Sequence, residues 1–300
     1  MKICRNLRVR TLRGLRGVGA TMAVAALGAE TMHWGGSDLL GPSVVTAIES
    51  RATADALTVR VDFAGSRPGR DMLLAGNLDI AVLVDDPGAD PLPEAYVAVP
   101  AGYATAVVVA PRSLKVEQID FTMIAQLLGT GGHAATMRWG DLGDAGPAAA
   151  VPIVPVVTTS ADGFAQTLIE HFVLHDQPVR AEVRRFDRTA GALAAVRADD
   201  GGLAFVPWLG PGQEEFKALL VAPEPGEVAF GPSPENLHAG DYPLRVALRL
   251  VFLRERAPTL LPWLRHWYGD EISAALEASG LVPLPRSARN QQVFDLEVIE

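Results

Sequence analysis

Two stretches of this chain repeat one plan: an apolar strand, a turn rich in glycine and hydroxyls, and an amphipathic helix. The first is Trp34 to Ser50, WGGSDLLGPSVVTAIES. Thr31 to Trp34 reads as its strand, and Gly35, Gly36, Ser37 and Asp38 turn the chain. Leu40, Val44, Ala47, Ile48 and Ala52 then fall at helical spacing. The second is Val151 to Phe172. VPIVPVV is followed by Thr158, Thr159, Ser160, Ala161, Asp162 and Gly163, and Ala165, Leu168, Ile169 and Phe172 form the helical stripe. The two prolines of VPIVPVV favour an end or edge position. A strand–turn–helix unit aims backbone N–H groups, a hydroxyl and the positive end of a helix dipole at one point, which suits an anion. The same pattern also serves as an ordinary capped turn, with Ser37 or Asp38 as N-cap.

The elements between these units complete an α/β chain. Leu57 to Phe63 alternates as a half-buried strand. Ala64 to Arg70 reads as a Gly/Pro turn leading into a short helix, Asp71 to Ala75, and Leu78 to Val84 as a parallel strand buried on both faces. The first part is therefore β-α-β-α-β, with ligands expected at the carboxyl edge of the strands. Tyr96 to Ala110 is extended and long enough to pass from one lobe to another. Lys115 to Leu128 reads as a helix, with WGDLG in the loop beyond. Ala181 to Phe186 reads as a strand and Thr189 to Ala198 as a helix capped by Asp187 or Thr189. LAFVP follows the Gly201–Gly202 break. Glu214 to Asp241 is irregular. In Leu244 to Phe252 the apolar residues alternate with Arg245, Ala247 and Arg249. A last helix spans about Pro258 to Ser279, with Gly269 a point of interruption and Gly280 as C′ glycine. The tail after Arg286 has no assignment. The 29 Gly and 22 Pro require many short elements, which fits α/β better than a helical bundle.

Residues 1–29 differ in kind. Six Lys and Arg residues and no acid precede the twelve-residue apolar run VGATMAVAALGA, which is the order of a secretory signal peptide. The run is too short to span a bilayer comfortably. The sole cysteine, Cys4, lies in this leader, so the mature chain is expected to have no disulfide and no lipid anchor. Removing the six positive charges takes the formal net charge from −9 to −15. Such a balance disfavours nucleic acid and anionic membrane surfaces as partners. The expected location is periplasmic or secreted.

Several side chains invite chemical readings. Arg67 and Arg70 are an oxyanion clamp or solvated loop residues, and Asp162 is a helix cap or a ligand contact. His171 and His175 lie four apart, but the chain has no cysteine beyond the leader and only six histidines. No metal and no cofactor are expected. A hydrolase using Ser160 can be composed, although no G-x-S-x-G elbow surrounds it. The five tryptophans would line a carbohydrate cleft if clustered there; otherwise they pack the core.

Six stretches, in order, resemble the phosphate-type substrate-binding proteins of ABC transporters, which have the type II periplasmic-binding-protein fold. They are WGGSDLL, SRPGRDMLLAGNLDIAVLVDDP, KVEQIDFTMIAQLLG with WGDLG, VPIVPVVTTSADGFAQTLIEHFVL, RTAGALAAVRADDGGLAFVP, and the C-terminal helix with GLVPLP. The resemblance covers about Thr31 to Pro285. It implies a two-lobed α/β fold, each lobe a mostly parallel sheet flanked by helices. Lobe 1 would be residues 30–105 and 225–300, and lobe 2 residues 106–224. It also implies a monomer without catalytic residues that captures a small anion such as phosphate and docks on a permease. Ser37, Asp38, Arg67, Asp85, Thr159, Ser160, Asp162 and Gly163 would contact the ligand, with Asp86 as an alternative to Asp85. The arginine that family members carry before their Ser-Gly-Thr is replaced by Thr158 and Thr159. Arg67 or Arg188 would have to supply the charge. A binding-protein fold turned to sensing or scaffolding, with another ligand or none, is the alternative within the same family.

Overall fold

A computed structural model describes residues 31–86, 88–131, 137–159 and 163–299. The expected leader, residues 1–29, lies outside the described residues, as do Ser160 and Asp162. The strands fall into two five-stranded sheets and one two-stranded sheet. The first five-stranded sheet is built from β1 (Thr31–Gly36), β2 (Thr58–Asp62), β3 (Ile80–Val84), β4 (Tyr96–Thr105) and β12 (Arg245–Leu253). Their order is β2-β1-β3-β12-β4. β1 pairs in parallel with β2 and β3, while β12 runs antiparallel to β3 and β4. The second is built from β5 (Val107–Pro111), β7 (Val154–Thr158), β8 (Arg184–Phe186), β9 (Gly202–Val206) and β10 (Phe216–Ala218). Its order is β10-β5-β9-β7-β8. Here β7 is parallel to β8 and β9, and β5 is antiparallel to β9 and β10. Each sheet thus has three parallel strands flanked on one side by two strands whose pairings are antiparallel.

Helices follow the same repeat. α1 (Pro42–Ala54) and α2 (Ser66–Leu74) connect β1, β2 and β3; α4 (Ala165–Phe172) and α5 (Thr189–Arg197) connect β7, β8 and β9. β6 (Gln118–Asp120) leads into α3 (Phe121–Leu128) and pairs with β11 (Leu220–Ala222). The remaining helices are α6 (Pro234–Ala239), α7 (Ala257–Trp267), α8 (Asp270–Ala278) and α9 (Arg286–Glu297). No described helix is long and apolar enough to cross a membrane.

The chain passes between the large sheets twice. β4 ends at Thr105 in one sheet and β5 begins at Val107 in the other. The return runs through α6 to β12. The two passages are tied together: Ala106 N–H donates to Leu244 O at 3.0 Å, and the Tyr242 hydroxyl donates to Ala106 O at 2.7 Å. Thr105 Oγ1 also donates to Pro207 O.

Several elements differ from the sequence expectation. α2 begins at Ser66, so the Gly/Pro run belongs to a helix start. Pro68 sits in the first turn, where its missing N–H leaves no helical bond unmade. Gly69 is small because α2 rests against Gly36: a Cβ at Gly69 would lie 2.5 Å from Gly36 Cα. α3 begins only at Phe121, since residues 118–120 pair with β11. β7 is internal to its sheet, not an edge; β8 reaches only Val156 to Thr158, so Pro155 lies beyond the stretch paired on that side. Residues 214–241 hold β10, β11 and α6, and the polar tail forms α9. The last long helix is two, α7 and α8, broken at Gly269, which takes an extended N-cap conformation.

The core tryptophans pack within the fold. Trp34 stacks on Trp267 at 5.8 Å between ring centroids and meets the Trp263 edge at 6.1 Å. All three are buried, as is Trp139, so these four pack the core and do not cluster in a cleft.

Candidate functional site

The cleft lies where the carboxyl ends of β1 and β3 face α4. Ser37 N–H donates to Val82 O at 2.7 Å, extending the register between β1 and β3. Gly65 N–H donates to Gly36 O at 2.8 Å, and Ser66 Oγ accepts Val84 N–H at 2.9 Å. The last two bonds seat the amino end of α2 over both strand ends. Arg67 in its first turn therefore lines the cleft, together with Asp38, Asp85 and Asp86. The cleft has a volume of about 880 Å³.

Ser37 itself is buried, and its Oγ accepts Leu39 N–H at 3.3 Å. Neither Ser37 nor Asp38 caps α1. That helix starts at Pro42 behind Gly41 and has no side-chain cap. Asp38 lies in the turn before it. Asp85 and Asp86 both line the cleft but differ in their bonds. Asp85 accepts from Arg249 Nη2 at 2.9 Å, and Asp86 accepts Gly88 N–H within its own turn.

β12 supplies two cations that the sequence presents only as the polar face of a strand. Arg245 and Arg249 both line the cleft, with Ala247 between them. The Arg245 guanidinium lies 5.4 Å from the ring centroid of Tyr103. The Tyr103 hydroxyl is 2.9 Å from His238 Nδ1. Burial pushes the Tyr103 pKa up, and the charges of Arg245 and Arg249 oppose that shift. The available signal is the alternation itself, which puts two arginines on one face of a single strand.

Opposite stands α4, which presents Phe164, Thr167, Leu168, His171 and Phe172 to the cleft. His171 Nδ1 lies 2.9 Å from Asp176 Oδ1. His175 falls beyond the end of α4 at φ +52°, so the two histidines do not share a helix face. Among the described residues no group of three or more His, Cys, Asp or Glu is placed to hold a metal ion.

Of the other expected site residues, Thr159 and Gly163 are described, and neither lines this cleft. The Thr159 hydroxyl donates to Asp187 Oδ1 at 3.1 Å, and its N–H donates to Phe186 O. α5 starts at Thr189 behind Arg188, whose side chain makes no cap hydrogen bond. Gly163 has φ +125°, and a Cβ there would lie 3.0 Å from Pro207. Arg188 does not line this cleft. Arg70 donates to Pro91 O and lines a neighbouring cavity of about 550 Å³, which shares Arg67, Asp85 and Arg249 with the cleft.

Solved structures are similar over most of the chain. A possible phosphate-binding protein from Planctomyces limnophilus superposes with a TM-score of 0.65 at 15% identity, covering 89% of this chain and 99% of its own. An ABC-type phosphate transport receptor from Vibrio cholerae superposes with a TM-score of 0.65 at 13% identity, covering 85% and 100%. The chain has a PstS-like fold. PstS from Borrelia burgdorferi is similar in turn, with a TM-score of 0.62 at 15% identity, covering 85% and 99%. No protein-family model matches the chain, and no curated protein matches it. Within the PstS-like fold, the two-lobed α/β architecture expected from the sequence holds. Identities this low carry the fold and leave the ligand to the cleft's own residues.

Proposed function

We propose that the chain is an exported solute-binding protein that captures a small oxyanion, phosphate foremost, and hands it to an ABC-type permease. In this reading residues 30–105 with 225–300 form one lobe and residues 106–224 the other. The mature protein is a periplasmic or secreted monomer and carries out no reaction. The observation that carries the reading is the pair Arg67 and Arg245 on one cleft wall. Neither guanidinium has a carboxylate within ion-pair distance among the described residues. A tetrahedral oxyanion between them would gain charge-assisted hydrogen bonds. Asp85, held by Arg249, would accept the proton of a hydrogenphosphate hydroxyl, and Asp38 is placed to do the same. Ser37 shapes the turn. Thr159, Ser160, Asp162 and Gly163 belong to the opposing unit, which would close over the ligand.

Thermal unfolding of the purified chain with phosphate, sulfate, molybdate, carboxylates and sugars tests this. A ligand at a hundred times its Kd should add about 2.7 kcal/mol of stability. Arg67→Ala and Arg245→Ala should each weaken phosphate binding by about tenfold or more, as expected for loss of a hydrogen bond to a charged group. No response to any oxyanion would refute the capture reading and favour sensing or scaffolding. Ester turnover abolished by Ser160→Ala would favour a hydrolase.

A further inference from the structure

The two walls of the cleft differ in chemistry. The wall from the first sheet carries Arg67, Arg245 and Arg249 with Asp38, Asp85 and Asp86. The wall from α4 carries Phe164, Leu168 and Phe172 beside Thr167 and His171. Phe172 is the telling residue. It holds the fourth position of an apolar stripe whose other members, Ala165, Leu168 and Ile169, are buried, yet it is itself 37% exposed. The edge of the His171 ring lies against it, with ring centroids 4.9 Å apart. A bare dianion held by the first wall would leave Phe164 and Phe172 facing the cleft uncovered. A cleft of about 880 Å³ is also in the size range that takes a drug-sized molecule.

We infer that the ligand is a phosphoryl dianion bearing an apolar substituent, a phosphonate or phosphate monoester, with the substituent against Phe164, Leu168 and Phe172. This rests on the oxyanion reading above. The dianion would face Arg67 and Arg245, and the substituent would cover Phe172, which the fold leaves exposed. Charge selects for the phosphoryl group, and burial of apolar surface selects for what is attached to it.

Calorimetric titration of the full chain with inorganic phosphate, phenylphosphonate and a series of alkyl phosphonates from methyl to butyl provides the test. Phenylphosphonate is expected to bind at least about tenfold tighter than phosphate, and affinity should climb along the alkyl series. Phe172→Ala should cut the phenyl advantage over phosphate, measured on the same variant, to less than about threefold. The alkyl series is measured on the wild-type chain and needs no variant to fold. Phosphate binding as tightly as phenylphosphonate would overturn this inference and leave the oxyanion reading standing. A flat alkyl series, or a phenyl advantage untouched by Phe172→Ala, would overturn it as well. Binding of neither phosphate nor any phosphonate would remove the oxyanion reading and this inference together.

Discussion

A methyl group built on Gly36 would lie 2.0 Å from Val82 O, and the residue has φ +126°. Both facts come from one local need. β1 must end against β3 while α2 crosses directly above, with Gly69 on its lower side. Gly36→Ala should therefore lose more than about 3 kcal/mol of stability in urea denaturation, from overpacking and backbone strain together. A loss below about 1 kcal/mol would show that the two backbones can part. The glycines here were legible in the sequence because a Gly-Gly-Ser turn after a strand is a local signal. Arg245 and Arg249 were visible only as polar residues alternating along a strand. Whether that face looks on water or on a ligand depends on residues far away in the chain: Asp85, which pairs with Arg249, and Tyr103, which lies under Arg245. Replacing Arg245 by Gln should weaken oxyanion binding by about tenfold. Arg197→Gln, at the Glu215 pair away from the cleft, should leave binding unchanged in the same titration.

Asp120 shows how an element boundary is set. Its carboxylate accepts Met123 N–H at 2.8 Å, and it is buried at the start of α3. Upstream, Gln118 and Ile119 are committed to the pairing with β11, so the helix cannot extend back to Lys115. Asp120→Ala should cost about 1 kcal/mol, and Asp120→Asn much less, read as a shift of the urea midpoint at constant slope. A loss with Asn equal to that with Ala would point to charge and not to capping. Gly280 is a boundary that could be read locally. Its N–H donates to Glu277 O and that of Leu281 to Leu276 O, with Gly280 at φ +74°. α9 could not be read in this way. Its outer face is polar, Phe294 and Val298 remain exposed, and what holds its start is tertiary: Arg289 donates to Tyr268 O and pairs with Asp270. A helix kept by such distant contacts leaves little periodicity in its own residues.

At the scale of the molecule, the sequence carried the repeat of strand, turn and helix but not the full symmetry of the two sheets. The outward passage was legible because Tyr96 to Ala110 is one extended apolar run. The return was not, because residues 214–241 fold as short pieces held by distant partners, such as Val221 and Phe230 and the tie from Tyr242 to Ala106. Tyr242 joins the two passages, so its protonation is linked to stability. The hydroxyl is buried and donates to Ala106 O, and burial pushes its pKa upward. Tyr103 and Tyr268 shift in the same direction, also by burial. A phenol with a raised folded pKa stays neutral in the folded chain and ionises first in the unfolded one. Its contribution is complete below the ordinary value of about 10 and falls as pH rises above it, by at most about 1.4 kcal/mol per pH unit for each tyrosine. Tyr242→Phe should cost about 1–2 kcal/mol at pH 8, where the hydrogen bond is lost and Ala106 O gives up this donor. That gap should narrow as the pH approaches 11, because the phenylalanine variant has no proton to lose at this position in the unfolded state. Urea midpoints for both proteins at pH 8 and pH 11 decide the matter: an unchanged gap would mean that Tyr242 is not linked to alkaline unfolding.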